Sequence, residues 1–374
     1  MNKLGVDDNE KNACLKCGRE QGFLGFSTAS LCYFCRAEEE RERYQKMTDG
    51  EVDAAIANII GDIKKISDGE ETYEDFIGLL SLKNINTAAI AKAAFENNVF
   101  FPSPIYRDAG ADVRDGLVSL LEAPNCEEAN DVLECLAEIG DEVAAEAFRR
   151  FDEQKPQWRQ KLYGSVVRYL QYTDHWMDES GAIIPLYFEP CYEFIAGPKT
   201  NKPAAWIGGR LRELCGRCGC ELMDLLVIDG DHERLKHLEL SGTVSVPICP
   251  NCATKTVIRY SPEGKARMEI VRASTDENYF SEDMLSRLTA GRLVLSSEPM
   301  PPFFGFCPQE VARIGGRGNW EQTPQFEDCP DCGRKMKLLA QLAWSRLLDD
   351  FAEGALFVEI CPDCKTIAVI HQQT

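Results

Sequence analysis

Long apolar runs are absent from this 374-residue sequence, and none approaches the roughly 18 consecutive apolar residues that a membrane-spanning helix needs. The first ten residues also lack the charged, apolar and small-residue order of a secretory signal. Most of the 17 cysteines fall into Cys-x-x-Cys pairs, so we expect free or metal-bound thiols, which belong in a reducing compartment. We therefore predict a cytoplasmic protein with no membrane partner.

Positive charge is scarce, because 41 Lys and Arg residues accompany 61 Asp and Glu residues and the net charge is −20. Phosphate binding depends on Lys and Arg, so this balance argues against a general nucleic-acid-binding protein. Most of the acidic excess lies in residues 48–156, where 24 acidic residues accompany nine basic ones. This segment is interpreted either as a solvated helical face or as a surface that attracts a basic partner protein.

Familiar catalytic motifs are also missing. The sequence contains no Gly-x-x-x-x-Gly-Lys phosphate loop, no Gly-x-Ser-x-Gly elbow, and no His-x-Glu combined with Pro-Cys-x-x-Cys. His232 and His237 are five residues apart, so they would not share a helical face as the ligands of a His-Glu-x-x-His site do. We predict a protein that is not an enzyme and has no catalytic residues; the alternative is an enzyme whose site is not visible as a motif.

The cysteines that are present form three sets, each made of two Cys-x-x-Cys pairs. One tetrahedral ion needs four thiolates that converge from two tight turns, and two such pairs supply them. The sets are Cys14, Cys17, Cys32 and Cys35; Cys215, Cys218, Cys249 and Cys252; and Cys329, Cys332, Cys361 and Cys364. We predict one structural zinc ion in each set, three in total. Four cysteines would leave a zinc ion no open coordination position for catalysis.

The distribution of patterns predicts an α+β protein with four parts. Residues 1–46 are a zinc knuckle followed by a charged helix, 47–195 an acidic all-α scaffold, 196–295 a first β-rich zinc ribbon, and 296–374 a second one. Within the scaffold, two amphipathic helices separated by Gly140-Asp141 resemble a HEAT-type repeat, and an ordinary helical bundle is the alternative. Residues 181–194, which contain two prolines, are interpreted as the linker into the ribbons.

The two ribbons can be aligned as an internal duplication. Trp206 lies nine residues before Cys215, and Trp320 lies nine residues before Cys329. Strand-like segments follow both first pairs and both second pairs. Two small β-ribbons stabilised by metal are the expected structure, because each alone would have little core.

The first ribbon has one cysteine more than a four-thiolate site needs, and the alignment indicates which one it is. Cys220 lies opposite Arg334, which makes Cys220 the spare thiol, although Cys218 and Cys220 could exchange roles. The cysteines outside any pair are predicted to be buried apolar residues: Cys126, Cys135, Cys191 and Cys307.

The last ribbon also resembles a known family. The residues concerned are Gly315-Gly316, Trp320, Cys329 to Gly333, Met336, Leu339 to Leu342, and the pair Cys361 and Cys364. Their order is similar to the signature of bacterial proteins known as domain of unknown function 1963 and, more distantly, of the eukaryotic programmed cell death 2-like family. The first ribbon follows the signature less closely, because it lacks the glutamine and its Gly-Gly comes after the tryptophan.

The resemblance implies a binding protein. Some bacterial members accompany polymorphic toxins as immunity proteins, and the eukaryotic members escort a ribosomal protein. We therefore expect an immunity or escort protein that masks a basic partner protein, such as a bacterial toxin. Nucleic-acid binding is the alternative, since basic residues concentrate in 196–295: Arg210, Arg212, Arg217, Arg234, Lys236, Arg259, Lys265 and Arg267.

Overall fold

The structure is a computed structural model and describes residues 14–18, 31–68, 71–197, 203–261, 263–274, 277, 279–288, 290–291, 293–303, 311–349 and 352–373. Cys307 lies outside these residues. The chain divides into two compact units, residues 1–54 and residues 55–374. Helices and strands are both well represented, so the predicted α+β class is confirmed.

The first unit contains the N-terminal knuckle and the helix that follows it. Helix α1 (Tyr33–Lys46) starts directly at the second Cys-x-x-Cys pair, with Cys32 as its N-cap residue. This is the charged helix that the sequence predicts. Helix α2 (Asp49–Gly61) begins in this unit and ends in the second one.

The helical part of the second unit continues with five α-helices: α3 (Glu71–Lys83), α4 (Ala88–Glu96), α5 (Ala111–Glu122), α6 (Ala129–Ile139) and α7 (Glu142–Gln154). Gly140 ends α6 in the left-handed conformation at φ 60°, which glycine adopts at little cost. Asp141 then caps α7, because its carboxylate accepts a hydrogen bond from the Ala144 N–H. The predicted pair of helices around this turn is confirmed, and its interpretation as a HEAT repeat stays a prediction.

The helical region ends earlier than predicted. Two 3₁₀ helices follow α7 (Gln157–Lys161 and Val166–Thr173), and then a two-stranded hairpin of β1 (His175–Met177) and β2 (Ile183–Pro185). Strand β3 (Tyr192–Ala196) comes next. The interpretation of 181–194 as a linker was therefore wrong. Apolar side chains such as Phe194, which is fully buried, give this segment a packed strand.

The remaining strands form one large antiparallel sheet with β3. They are β4 (Ala205–Ile207), β5 (Arg210–Leu214), β6 (Glu221–Asp229), β7 (Thr243–Ile248), β8 (Lys255–Tyr260), β9 (Ala266–Arg272), β10 (Leu293–Leu295), β11 (Ala312–Ile314), β12 (Lys337–Ala343), β13 (Ala355–Cys361) and β14 (Thr366–Gln372). Their order is β5-β6-β4-β10-β3-β11-β12-β13-β14-β8-β9, and β7 pairs with β6. Two short helices, α8 (Glu282–Leu288) and α9 (Trp344–Leu348), lie in the connections. Strands of both ribbons share one apolar core.

The two ribbons have the same internal irregularity. In the first, the register of β6 against β7 shifts between Asp224 and Leu226. In the second, the register of β12 against β13 shifts between Leu338 and Ala340. Both shifts lie six residues after the second cysteine of the first pair, so the structure repeats the duplication seen in the sequence.

The strands that follow the second Cys-x-x-Cys pairs join the two ribbons. Strand β8 of the first ribbon pairs with β14 of the second, and Val257 lies opposite Ala368 while Thr256 lies opposite Val369. Val257 and Val369 are equivalent residues of the duplication, so exchanging the two strands leaves the register unchanged. The strand pair has local two-fold symmetry.

None of the described helices is long and apolar enough to cross a membrane.

Candidate metal centres

The N-terminal centre is built from a tight turn and the start of a helix. The turn at 14–18 is closed by a hydrogen bond from the Gly18 N–H to the Cys14 carbonyl at 2.9 Å. Cys32 and Cys35 lie at the start of α1, and the Cys32 N–H donates to Cys14 Sγ at 3.2 Å. Cys17 Sγ and Cys32 Sγ are 3.7 Å apart. The four sulfurs of Cys14, Cys17, Cys32 and Cys35 all lie within 4.8 Å of one another.

The centre of the first ribbon joins two strand connections. Cys215 and Cys218 lie in the turn between β5 and β6, and Cys249 and Cys252 lie between β7 and β8. The sulfurs of this set are again within 4.8 Å of one another, and those of Cys218 and Cys249 are 3.5 Å apart. Leu222 and Leu285 pack against the cluster, so the centre is largely shielded by apolar side chains.

The centre of the second ribbon has the same design. Cys329 and Cys332 lie in the turn before β12, and Cys361 and Cys364 lie in the turn between β13 and β14. The four sulfurs are within 4.8 Å of one another, and those of Cys332 and Cys361 are 3.7 Å apart. Cys332 is exposed, as is Cys17 in the N-terminal centre, while the equivalent Cys218 is half-buried.

The thiols of each centre have very different surroundings. The N–H of Cys32 donates to Cys14 and lowers the pKa of that thiol to about 6. The backbone N–H and the guanidinium of Arg334 likewise lower the pKa of Cys332 to about 6. Burial instead raises the pKa of Cys252 and of Cys361. A bound divalent cation would favour the thiolate form of all four ligands in a centre.

The geometry fits a metal ion in each centre. Zinc–sulfur bonds of about 2.3 Å in a tetrahedron place neighbouring sulfurs about 3.8 Å apart. The sulfur pairs given above, one in each centre, are 3.5 to 3.7 Å apart and are close to that spacing. All three sets could therefore hold a metal ion. Soft thiolate ligands are those that zinc and iron prefer over magnesium or calcium.

The other candidate residues lie apart from these centres. Cys126, Cys135 and Cys191 are buried, and the thiols of the last two donate to the carbonyls of Phe100 and Gly315. His232 caps a 3₁₀ helix (Glu233–Leu238) that contains His237. Within the described residues, no further group of three or more His, Cys, Asp or Glu side chains has metal-binding geometry.

The structure contains a buried ionic cluster that was not predicted from the sequence. Arg317, in the turn after β11, forms a buried ion pair with Glu138 of α6 and lies near Asp174. The glycine-rich segment Gly315-Gly316-Arg317-Gly318 predicts only a turn. Glu138 gave a weak signal, because a carboxylate between Ala137 and Ile139 interrupts an otherwise apolar helical face.

The chain is similar to a known protein from a bacterium. The chain is 29% identical over 279 residues to the uncharacterised protein YpfL of Salmonella typhimurium, across 73% of this chain and 65% of that protein. The chain therefore spans less than two thirds of this relative's length. No family model matches the chain, so its resemblance to domain of unknown function 1963 stays a prediction. No solved structure matches it either.

Proposed function

We propose that this chain is a non-catalytic zinc-binding protein whose task is to bind a basic protein in a reducing compartment, as an immunity or escort protein would. The three metal centres supply rigidity, since four cysteines would fully coordinate each ion. Among the residues that the structure describes, no other set has metal-binding geometry. The family resemblance of the second ribbon supports the immunity or escort role. The acidic helical part supplies the binding surface.

One observation carries the choice of a basic partner. Glu127, Glu128 and Asp131 are exposed at the start of α6, and no ion pair joins them to a basic residue in the described part of the chain. The carboxyl of Asp131 is partly shielded although the residue is exposed, and this partial burial and the charge of Glu128 raise its pKa. We name these three residues the α6 acidic patch. Like charges held together without a counter-charge favour a cationic partner.

Some acidic residues elsewhere on the helices are paired with a basic residue. Glu122 pairs with Arg150 at 2.8 Å, and Glu146 pairs with Arg149 at 2.7 Å. The α6 acidic patch differs from these two residues, because no ion pair to a basic residue is found for it in the described part of the chain. Such a patch would steer a basic protein toward the helices and contribute most at low ionic strength.

The experiment is affinity capture of partners from the native cell extract. The expected result is recovery of a specific basic protein. Less of this protein should be retained as salt rises, and less should be retained by the charge-reversed variant E127K/E128K/D131K. The matched control is E213K/E239K/E298K, which changes the net charge equally at exposed positions of the first ribbon and its connection. Capture that is insensitive to salt and to reversal of the patch would contradict the proposal.

Nucleic-acid binding through the first ribbon is the weaker candidate. Arg210 pairs with Glu221 and Glu282, and Arg259 pairs with Glu269 and Asp331. These carboxylates occupy cations that would have to contact phosphates. Binding of RNA or DNA measured across a salt series would test this function, and tight binding at physiological salt would favour it over the protein partner.

A further inference from the structure

The metal centre of the first ribbon contains a fifth cysteine. Cys220 is fully buried and packs in the same cluster as the four candidate ligands. Its backbone N–H donates to Cys218 Sγ at 3.5 Å, and its thiol donates to the Glu221 carbonyl at 3.6 Å. A fifth thiol is thus fully buried in the cluster that contains the four candidate ligands.

The backbone holds Cys220 in the same place as Arg334 of the second ribbon. The Cys215 N–H donates to the Cys220 carbonyl at 2.8 Å, and the Cys329 N–H donates to the Arg334 carbonyl at 2.7 Å. The side chains differ. Arg334 is exposed and pairs with Asp363 at 2.6 Å, whereas Cys220 turns inward to the sulfur cluster. The second ribbon is therefore a built-in control that lacks the fifth thiol.

We propose that the first ribbon can close its metal shell with either of two four-thiolate sets, in which Cys220 replaces Cys218. Both sets share Cys215, Cys249 and Cys252. The exchange breaks one metal–thiolate bond and forms another, while the Cys220 proton passes to solvent or to the released Cys218 thiolate. No electron is transferred. Because Cys218 is the most accessible ligand of this centre, its chemical loss would leave the ion fully coordinated.

The test compares equivalent substitutions in the full-length protein. Zinc content is measured by elemental analysis after gel filtration in the presence of a mild chelator. We expect C218S to retain three ions per chain and the equivalent C332S to retain two. C220A should also retain three, and C218S/C220A should retain two. In the cobalt-substituted protein, C218S should keep the absorption of four-thiolate coordination in all three centres.

Two results would overturn this inference. One is loss of an ion from C218S, as from C332S, which would leave Cys220 only a hydrogen-bond donor to the Glu221 carbonyl. The other is retention of three ions by C218S/C220A, which would mean that three thiolates suffice. The inference rests on zinc binding but not on the protein partner, and a wild-type chain without three ions would contradict the metal part of the proposed function instead.

A second measurement covers the case in which C218S does not fold. Folded wild type and folded C220A are treated with a limiting thiol-alkylating reagent, and zinc release is followed together with the extent of Cys218 modification. Cys17 and Cys332 are exposed and react alike in both proteins, so release from the other two centres is common to both. At equal modification of Cys218, we expect C220A to release one more ion than wild type. Equal release from both proteins would also overturn the inference.

Discussion

Arg317 donates from Nη1 and Nη2 to the two carboxylate oxygens of Glu138, at 2.8 and 2.9 Å, across 179 residues of sequence. The Arg317 side chain is 8% exposed and that of Glu138 is 1% exposed. Asp174 completes the cluster, because its carboxylate lies 3.7 Å from Arg317 Nε and accepts hydrogen bonds from the Gly318 N–H and the Trp320 indole. Helix α6 and the turn after β11 in the second ribbon are thereby fixed to each other.

Removal of the Arg317 charge should strongly destabilise the fold. R317M leaves Glu138 buried without its counter-ion, and loss of one partner of a buried pair costs about 3–5 kcal/mol. Urea unfolding of R317M, E138L and the double variant would give the coupling free energy. We expect the double variant to be more stable than the sum of the two losses predicts. Additive losses would show that the pair is not coupled.

Replacement of Arg313 should have the opposite effect on stability. It is fully buried on β11, and none of its guanidinium nitrogens has a hydrogen-bond partner in the described structure. Burial lowers its pKa, so the fold disfavours its charge. We expect R313M to leave the free energy of unfolding unchanged or to raise it, because an apolar chain removes a desolvation cost. A loss comparable with that of R317M would contradict this explanation.

Gly316 should tolerate no side chain. Its φ is +79°, and a Cβ would lie 2.8 Å from Cys191 Sγ and 2.9 Å from the Pro302 carbonyl oxygen. Gly264 has the same φ of +79° in the turn between β8 and β9, with no atom near a Cβ. We expect G264A to cost about 1–2 kcal/mol from backbone strain alone. G316A should cost clearly more in the same unfolding experiment, and equal losses would exclude a steric contribution.

The Glu134 carboxyl should make the free energy of unfolding depend on pH. Burial and the charges of Asp131 and Glu138 raise its pKa to about 7. An acid whose folded-state pKa is raised stabilises the fold below its unfolded pKa, and that stabilisation is lost as pH rises through the folded value. E134Q removes this effect. We expect its stability relative to wild type to rise by up to about 3 kcal/mol between pH 5 and pH 8.5.

Chemical unfolding of both proteins across that pH range would measure the difference directly. Because the metal centres are identical in the two proteins, their own pH dependence largely cancels. A difference that stays constant with pH would mean that Glu134 does not titrate in this range.

The purified chain should hold three zinc ions, as measured by elemental analysis. C364S should reduce this number to two and lower the unfolding temperature, because the metal replaces much of the core around Met336 and Ala368. A strong chelator should have the same effect on wild type. A stoichiometry of one or none in the wild-type protein would contradict the assignment of the three sets.

The features that the sequence predicted are local ones. Paired cysteines reveal a metal centre because the ligand spacing is set by a tight turn, and Gly140-Asp141 marks a helix end because the left-handed residue and the cap are adjacent. The pairing of β8 with β14 and the contact of Arg317 with Glu138 depend on segments over 100 residues apart. No periodicity or spacing encodes those contacts, so they could not be predicted.

The symmetric pairing of β8 with β14 is the geometry of a homodimer contact, here contained within one chain. In a true homodimer both subunits have the same sequence, so any substitution would be present in both. A covalently joined pair has no such restriction. One half can carry Cys220 beside its metal centre while the other presents Arg317 to the helices, and the contact that unites them is left untouched.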